Sequence, residues 1–147
     1  MTEINFIVEG DPVGQPRARF ANGHAYSASG SIDGWRAAVR RASFKTTPKT
    51  PLEGPIFFGT MFVMPRPKKH FRKGKLRPDA PSWHVAKPDF DNLAKAIADE
   101  LTNAGYWKDD SQICESFQKK IYGEQPGCVV SIRQLPPGGQ TSEETDE

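Results

Sequence analysis

The stretch IFFGTMFVM, residues 56–64, is a nearly unbroken apolar run. It has the length and the aromatic and branched content of a strand buried on both faces. Such a strand needs sheet neighbours and covering layers, and the flanking sequence offers both. INFIV, residues 4–8, is a short β-rich run closed by Gly10, Pro12 and Gly14. Residues 112–122 are strand-like, and a turn at 124–127 leads to CVVSI, residues 128–132, which predicts an antiparallel hairpin. Two helical stripes supply the layers. Ile32, Trp35, Ala38, Val39 and Ala42 form the first, with Ser31 or Asp33 as its cap. Phe90, Leu93, Ala94, Ile97, Ala98 and Leu101 form the second, stopped by Asn103 and Gly105. The expectation is an α/β (α+β) fold: one domain, with a mixed β-sheet and helices packed against it.

Composition narrows the class. At 147 residues, with nine Phe and three Trp, the chain can bury a substantial core, which argues against a wholly disordered protein. No apolar run approaches the roughly 20 residues of a bilayer span, and the N-terminus lacks a basic-then-apolar signal pattern. A soluble, cytoplasmic protein is expected. Cys114 and Cys128 are too few for a disulfide framework and, with three scattered histidines, match no zinc spacing. They are expected to be reduced thiols in or beside strands. The net charge of +2 hides an asymmetry, because the last twelve residues hold Glu143, Glu144, Asp146 and Glu147 and no base. Without them 20 basic and 14 acidic side chains remain, a net of +6. This predicts a folded body over 1–135 and a disordered acidic tail over 136–147.

Between the regular elements lie three connections. In QPRARFANGHAYS, Arg17 and Arg19 point to one side of an extended chain, and Asn22-Gly23 is a hairpin-turn signal. Residues 46–55 read as a loop. Residues 65–88 contain five prolines and no periodicity, so they predict a long irregular connection.

Chemistry concentrates in KPDFDNLAKAIADEL, residues 87–101, followed by GYWKDD. Asp89 and Asp91 would project about 200° apart inside one helix at 3.6 residues per turn. They converge if Asp89 lies in the extended approach enforced by Pro88 and Asp91 in the first turn. Asp91 and Lys95 then form an i,i+4 pair. The helix has the length to return Asp109 and Asp110 toward its own start. Several carboxylates in one place repel unless a cation sits among them, and an all-oxygen cluster suits Mg²⁺ or Mn²⁺. Singly, each Asp reads better as a helix cap or a solvated turn residue, and it is the whole set beside Lys95 that favours a site.

Upstream, MPRPKKHFRKGKLR, residues 64–77, carries seven positive charges and no acid, with His70 and Phe71 interleaved. On a mobile loop these charges repel unless a polyanion binds, so Lys68, Lys69, Arg72 and Lys73 are expected phosphate contacts. A solvated or protein-facing loop is the plainer reading. His84 is a candidate for either a substrate contact or a structural hydrogen bond, and Trp35 and Trp107 are expected in the core.

The D-x-D-N-L-x-K string, the later W-x-D-D and Lys120 in the following strand resemble the signature of the RusA family of Holliday-junction endodeoxyribonucleases, common in phages and prophages. The likeness covers most of 1–135, including PVGQPRAR and the order of PRPKKHFRKGK, APSWH and KPDFDN. It implies a Mg²⁺-dependent homodimer of mixed α/β architecture in which Asp89, Asp91 and Asp110 hold the metal. Lys95 is then the basic residue beside them, Asp109 a helper, and Lys120 a site-proximal base. With Arg17, Arg19 and Lys120 as further DNA contacts, the expected function is nicking of branched double-stranded DNA at four-way junctions. The rival readings are a non-catalytic nucleic-acid binder and a metal-dependent hydrolase of small phosphate esters.

Overall fold

The computed structural model describes residues 2–16, 18–21, 24–27 and 32–138. Four strands form the main sheet: β1 (Glu3–Glu9), β4 (Ile56–Met64), β7 (Ile113–Tyr122) and β8 (Gly127–Gln134), in the order β1-β8-β4-β7. β8 runs antiparallel to both β1 and β4, whereas β4 and β7 are parallel, so the sheet is mixed as expected. β2 (Ala18–Ala21) and β3 (His24–Ser27) pair antiparallel as a separate two-stranded sheet, and the expected Asn22-Gly23 turn between them lies outside the described residues. The helices are α1 (Ile32–Phe44) and α2 (Phe90–Ala104).

Period-two alternation decides which side the helices cover. Ile4, Phe6 and Val8 of β1, Phe58 and Phe62 of β4, and Cys128, Val130 and Ile132 of β8 point inward in matched register. They meet Trp35 and Val39 of α1 and Leu93, Ile97 and Leu101 of α2 in one core. Glu100 is buried beneath α1, where Arg40 donates to it at 3.1 Å and Arg36 approaches to 3.9 Å, fixing the two helices together. Burial pushes the Cys128 thiol up to about 12, so this cysteine is an inert core residue; Cys114 is also a free thiol.

Three sequence expectations need correction. β7 and β8 do not form a hairpin, because β4 lies between them. The most apolar strand gains two paired edges there, while β7, with Glu115, Gln118, Lys119 and Lys120, takes the edge that charge protects. Nor is β4 buried on both faces. Both helices lie on one side, leaving Phe57 and Met61 half-buried over an open apolar depression of about 360 Å³ with Ile7, Phe117 and Val129 exposed on the same face. Phe90, placed in the buried stripe by its spacing, is 54% exposed, since α2 begins at that residue, before the helix reaches the sheet.

Residues 65–88 are more ordered than the prolines suggest. After a 3-10 turn at Lys68–His70 the chain makes a small hairpin of β5 (Phe71–Arg72) and β6 (Lys75–Leu76). Its two-residue turn, Lys73-Gly74, has both φ positive, at 51° and 78°. That is the geometry that matches strand twist, and Gly74 supplies it without a Cβ clash. Residues 82–84 then extend the sheet at the outer edge of β7: Tyr122 N–H donates to Ser82 O at 2.8 Å and His84 N–H to Lys120 O at 3.3 Å.

Candidate active site

The edge contact at 82–84 aims the chain at the start of α2. Asp89 is the N-cap residue, extended at φ −67° and ψ 150°, and Asp91 lies in the first helical turn, as the sequence reading required. The Asp89 carboxylate makes no capping bond to the helix. Lys87 donates to both of its oxygens, at 3.0 and 3.2 Å. From β7, Lys120 donates to the carbonyls of Ala86 and Pro88, each at 2.9 Å. Its pKa is lowered, chiefly by burial, against the opposing pull of Asp89.

A second segment approaches from the N-terminal side. Gln15 N–H donates to Asn92 O at 2.8 Å, and a Cβ on Gly14 would stand 3.0 Å from Pro88 Cβ. Glycine is therefore what lets the chain cross the helix start so closely. This crossing leads straight into PRAR. Arg17 lies outside the described residues, and for Arg19 the backbone of β2 is described but not the side chain.

Asp91, Lys95 and Asp99 recur at one face of α2 on successive turns. Lys95 pairs with Asp99 Oδ1 at 2.7 Å and with Asp110 Oδ2 at 3.5 Å, and not with Asp91 as the spacing had suggested. In a helix both i−4 and i+4 partners are in reach; Lys95 takes Asp99, which also lets it meet the incoming turn. Its pKa is raised, first by the hydrogen bond to Asp99, so it stays an ammonium throughout the neutral range.

The turn that delivers Asp110 is built by its neighbours. Trp107 is buried edge-on against Phe58, with ring centroids 5.9 Å apart, and its indole N–H donates to Thr102 Oγ1 at 2.7 Å. Asp109 accepts from Ser111 N–H at 2.8 Å while Gln112 Oε1 accepts from Asp109 N–H at 3.2 Å, a reciprocal capping box. The Ser111 hydrogen bonds hold the Asp109 carboxyl below the ordinary carboxylate range. Gln112 also donates to the Leu52 and Gly54 carbonyls, at 2.9 and 3.0 Å. Asp109 is thus the structural cap, and Asp110 is the residue presented to Lys95. Both border a polar cleft of about 320 Å³ with Asp99, Glu100 and Arg36.

Of the acids, Asp99 and Asp110 are brought together by Lys95, whereas Asp89 and Asp91 lie at the start of α2, one turn or more before Lys95 along the helix. Among the described residues no three His, Cys, Asp or Glu side chains form a ready-made metal cage. The donor set nevertheless suits Mg²⁺ or Mn²⁺, because it is all oxygen. Mg²⁺ is ordinarily held by one or two carboxylates together with water and substrate phosphate rather than by a closed protein site.

The basic segment stands nearby on its own anchor. Arg66 donates to Pro81 O at 2.7 Å, its guanidinium carbon lies 5.5 Å from the centroid of the Tyr122 ring, and its NH1 is 3.3 Å from His70 Nδ1. His70 and His84 both meet Tyr122 edge-on, with centroids at 4.7 and 4.9 Å. Burial, and then neighbouring positive charge, lowers the pKa of each. Arg77 pairs with Asp79 at 3.1 Å. Lys68, Lys69, Arg72 and Lys73 are exposed on the hairpin side. Changing these four to Ala should weaken binding to a four-way junction and flatten its salt dependence by about 0.9 for each lost contact. The single-turnover rate at saturating protein should change far less. An unchanged salt slope would show that the hairpin does not touch DNA.

The family profile described as Endodeoxyribonuclease RusA matches residues 9–133. The chain belongs to the RusA family. It is 31% identical over 144 residues to the Uncharacterized protein YqaN of Bacillus subtilis (strain 168), across 90% of this chain and 96% of that protein. A shorter match, 36% identical over 53 residues, is to the Crossover junction endodeoxyribonuclease rusA of Lactococcus phage r1t, across 36% of this chain and 40% of the phage protein.

The RusA match takes in both acidic segments, the basic hairpin and Lys120. Residues 136–147 lie beyond it, and the disorder expected there falls largely on residues outside the described ones. Three site features escaped the sequence reading. Asp99 carried a usable signal, the i,i+4 step from Lys95. Gly14 packing on Pro88, and Tyr122 as the hub of the basic arm, carried none, because each depends on contacts between distant segments.

Proposed function

We propose that this chain is a divalent-metal-dependent endonuclease that nicks branched double-stranded DNA, four-way junctions in particular, acting in the cytoplasm as a two-fold dimer. The family supports endodeoxyribonuclease activity, and the name of the phage relative supports crossover junctions as the substrate. The observation that carries the reading is Lys95, whose contact with Asp110 ties the W-x-D-D turn to the helix bearing Asp91.

In this reading Asp89, Asp91 and Asp110 hold the cation. A bound Mg²⁺ supplies polarisation of the scissile phosphate and a water of lowered pKa. Lys95, held protonated by Asp99 and Asp110, offsets negative charge at the phosphate as it builds up in the transition state. The exposed hairpin lysines and arginines bring the phosphate backbone to the acids, which would otherwise repel it. The tests are on labelled junction, linear duplex and free nucleotide, with and without Mg²⁺. Nicking confined to junction and Mg²⁺ is expected; nucleotide hydrolysis, or junction binding without nicking, would favour one of the rival readings.

Two matched nicks in a near-two-fold junction call for two equivalent sites. The uncovered sheet face with Ile7, Phe117 and Val129 is an apolar surface available for pairing with a second copy. Phe117→Glu should convert a dimer to a monomer by light scattering while leaving the monomer folded. A wild-type protein that is monomeric at micromolar concentration and still nicks both strands would contradict the dimer.

A further inference from the structure

Lys120 stands on the same side of β7 as Tyr122, in register with inward-facing Phe62, and is half-buried. Lys87, three residues upstream of α2, is by contrast 85% exposed and paired with the Asp89 carboxylate. Lys120 instead directs two of its three N–H donors at the backbone carbonyls of Ala86 and Pro88, both at 2.9 Å. Among the described residues no other hydrogen bond reaches the backbone of residues 85–88, and Val85 is 90% exposed. The segment is therefore fastened at His84, by the backbone bond to Lys120 O, at residues 86 and 88, by the Lys120 ammonium, and then enters α2 at Asp89. One residue of the edge strand thus holds the approach to the helix by its main chain and its side chain together.

We propose that Lys120 is a positioning residue of the nicking site, holding residues 86–88 so that Asp89 stands beside Asp91, and not a DNA contact. This rests on the endonuclease reading above. It departs from the sequence expectation, which grouped Lys120 with the phosphate-binding bases. Groups that orient metal-holding carboxylates typically cost 10- to 100-fold in activity when removed.

The test compares wild type, Lys120→Met and Lys120→Arg on a synthetic four-way junction. The Met variant should lose 10- to 100-fold in single-turnover nicking at saturating protein and need more Mg²⁺ for half its maximal rate. Its junction affinity in EDTA should stay within about twofold of wild type with an unchanged salt slope, because no phosphate contact is lost. The Arg variant, which keeps the charge and the donors, should recover most of the rate. If the Met variant does not fold by its melting curve, Lys120→Gln carries the same pair of measurements with neutral donors. A salt slope reduced by about 0.9 at an unchanged saturated rate would make Lys120 a phosphate contact and overturn the proposal. So would a wild-type rate and Mg²⁺ requirement in the Met variant. Wild-type protein that nicks no junction would instead overturn the endonuclease reading itself.

Discussion

Asp91→Asn and Asp110→Asn should each abolish most junction nicking, by orders of magnitude in rate, while the protein stays folded. Both side chains are at least partly exposed, and Asn preserves their size. Losing the Asp110 charge leaves Lys95 its shorter bond to Asp99, so no buried group is orphaned. What changes is the negative charge available to a cation, and with it the activated water and the polarised phosphate. Binding should move the other way: in EDTA each carboxylate repels the approaching backbone, so junction affinity is unchanged or tighter in the variants. Asp109→Ala is the internal contrast. Its capping box makes it a structural residue, and the expected cost is about 1 kcal/mol of stability with nicking largely retained. Retained cleavage with a lowered melting temperature in Asp91→Asn or Asp110→Asn would end their catalytic assignment.

Trp107→Ala should strongly destabilise the fold. The side chain is 1% exposed, meets Phe58 and Tyr106 edge-on, and satisfies its N–H at Thr102. Truncation removes that burial and leaves a cavity, about 3–5 kcal/mol in total. For a chain of this length that lowers the melting temperature by roughly 10 °C. Because Trp107 seats the turn that carries Asp110, the variant should lose nicking even at temperatures where it remains folded. Trp107→Phe, which refills most of the space without the N–H, should lie between. Urea unfolding, and nicking measured roughly 15–20 °C below the variant's melting temperature, read the two effects separately; an unfolding free energy within about 1 kcal/mol of wild type would contradict the packing argument.

The parts of this architecture that sequence made legible are those set by local periodicity. The alternation in INFIV, the stripe from Leu93 to Leu101 and the Pro88 break ahead of Asp89 each fix an element from its own residues. What was illegible depends on distant partners. Nothing in residues 112–132 reveals that β4 separates β7 from β8, because direction and turn composition are the same either way. The same limit hid the crossing of Gly14 over Pro88. The acidic site was half legible: the spacing of Asp89, Asp91 and Lys95 followed from the helix start, but the pairing of Lys95 with Asp99 and Asp110 depends on where a distant turn is placed.

The proposed mechanism requires a cation shared by the helix start and the W-x-D-D turn. Its most direct test is Mn²⁺ binding to the protein–junction complex, followed by electron paramagnetic resonance in wild type, Asp91→Asn and Asp110→Asn. The account predicts that wild type binds Mn²⁺ and that both substitutions weaken the same binding event. A complex that nicks without binding Mn²⁺, or Mn²⁺ binding that either variant leaves untouched, would contradict it.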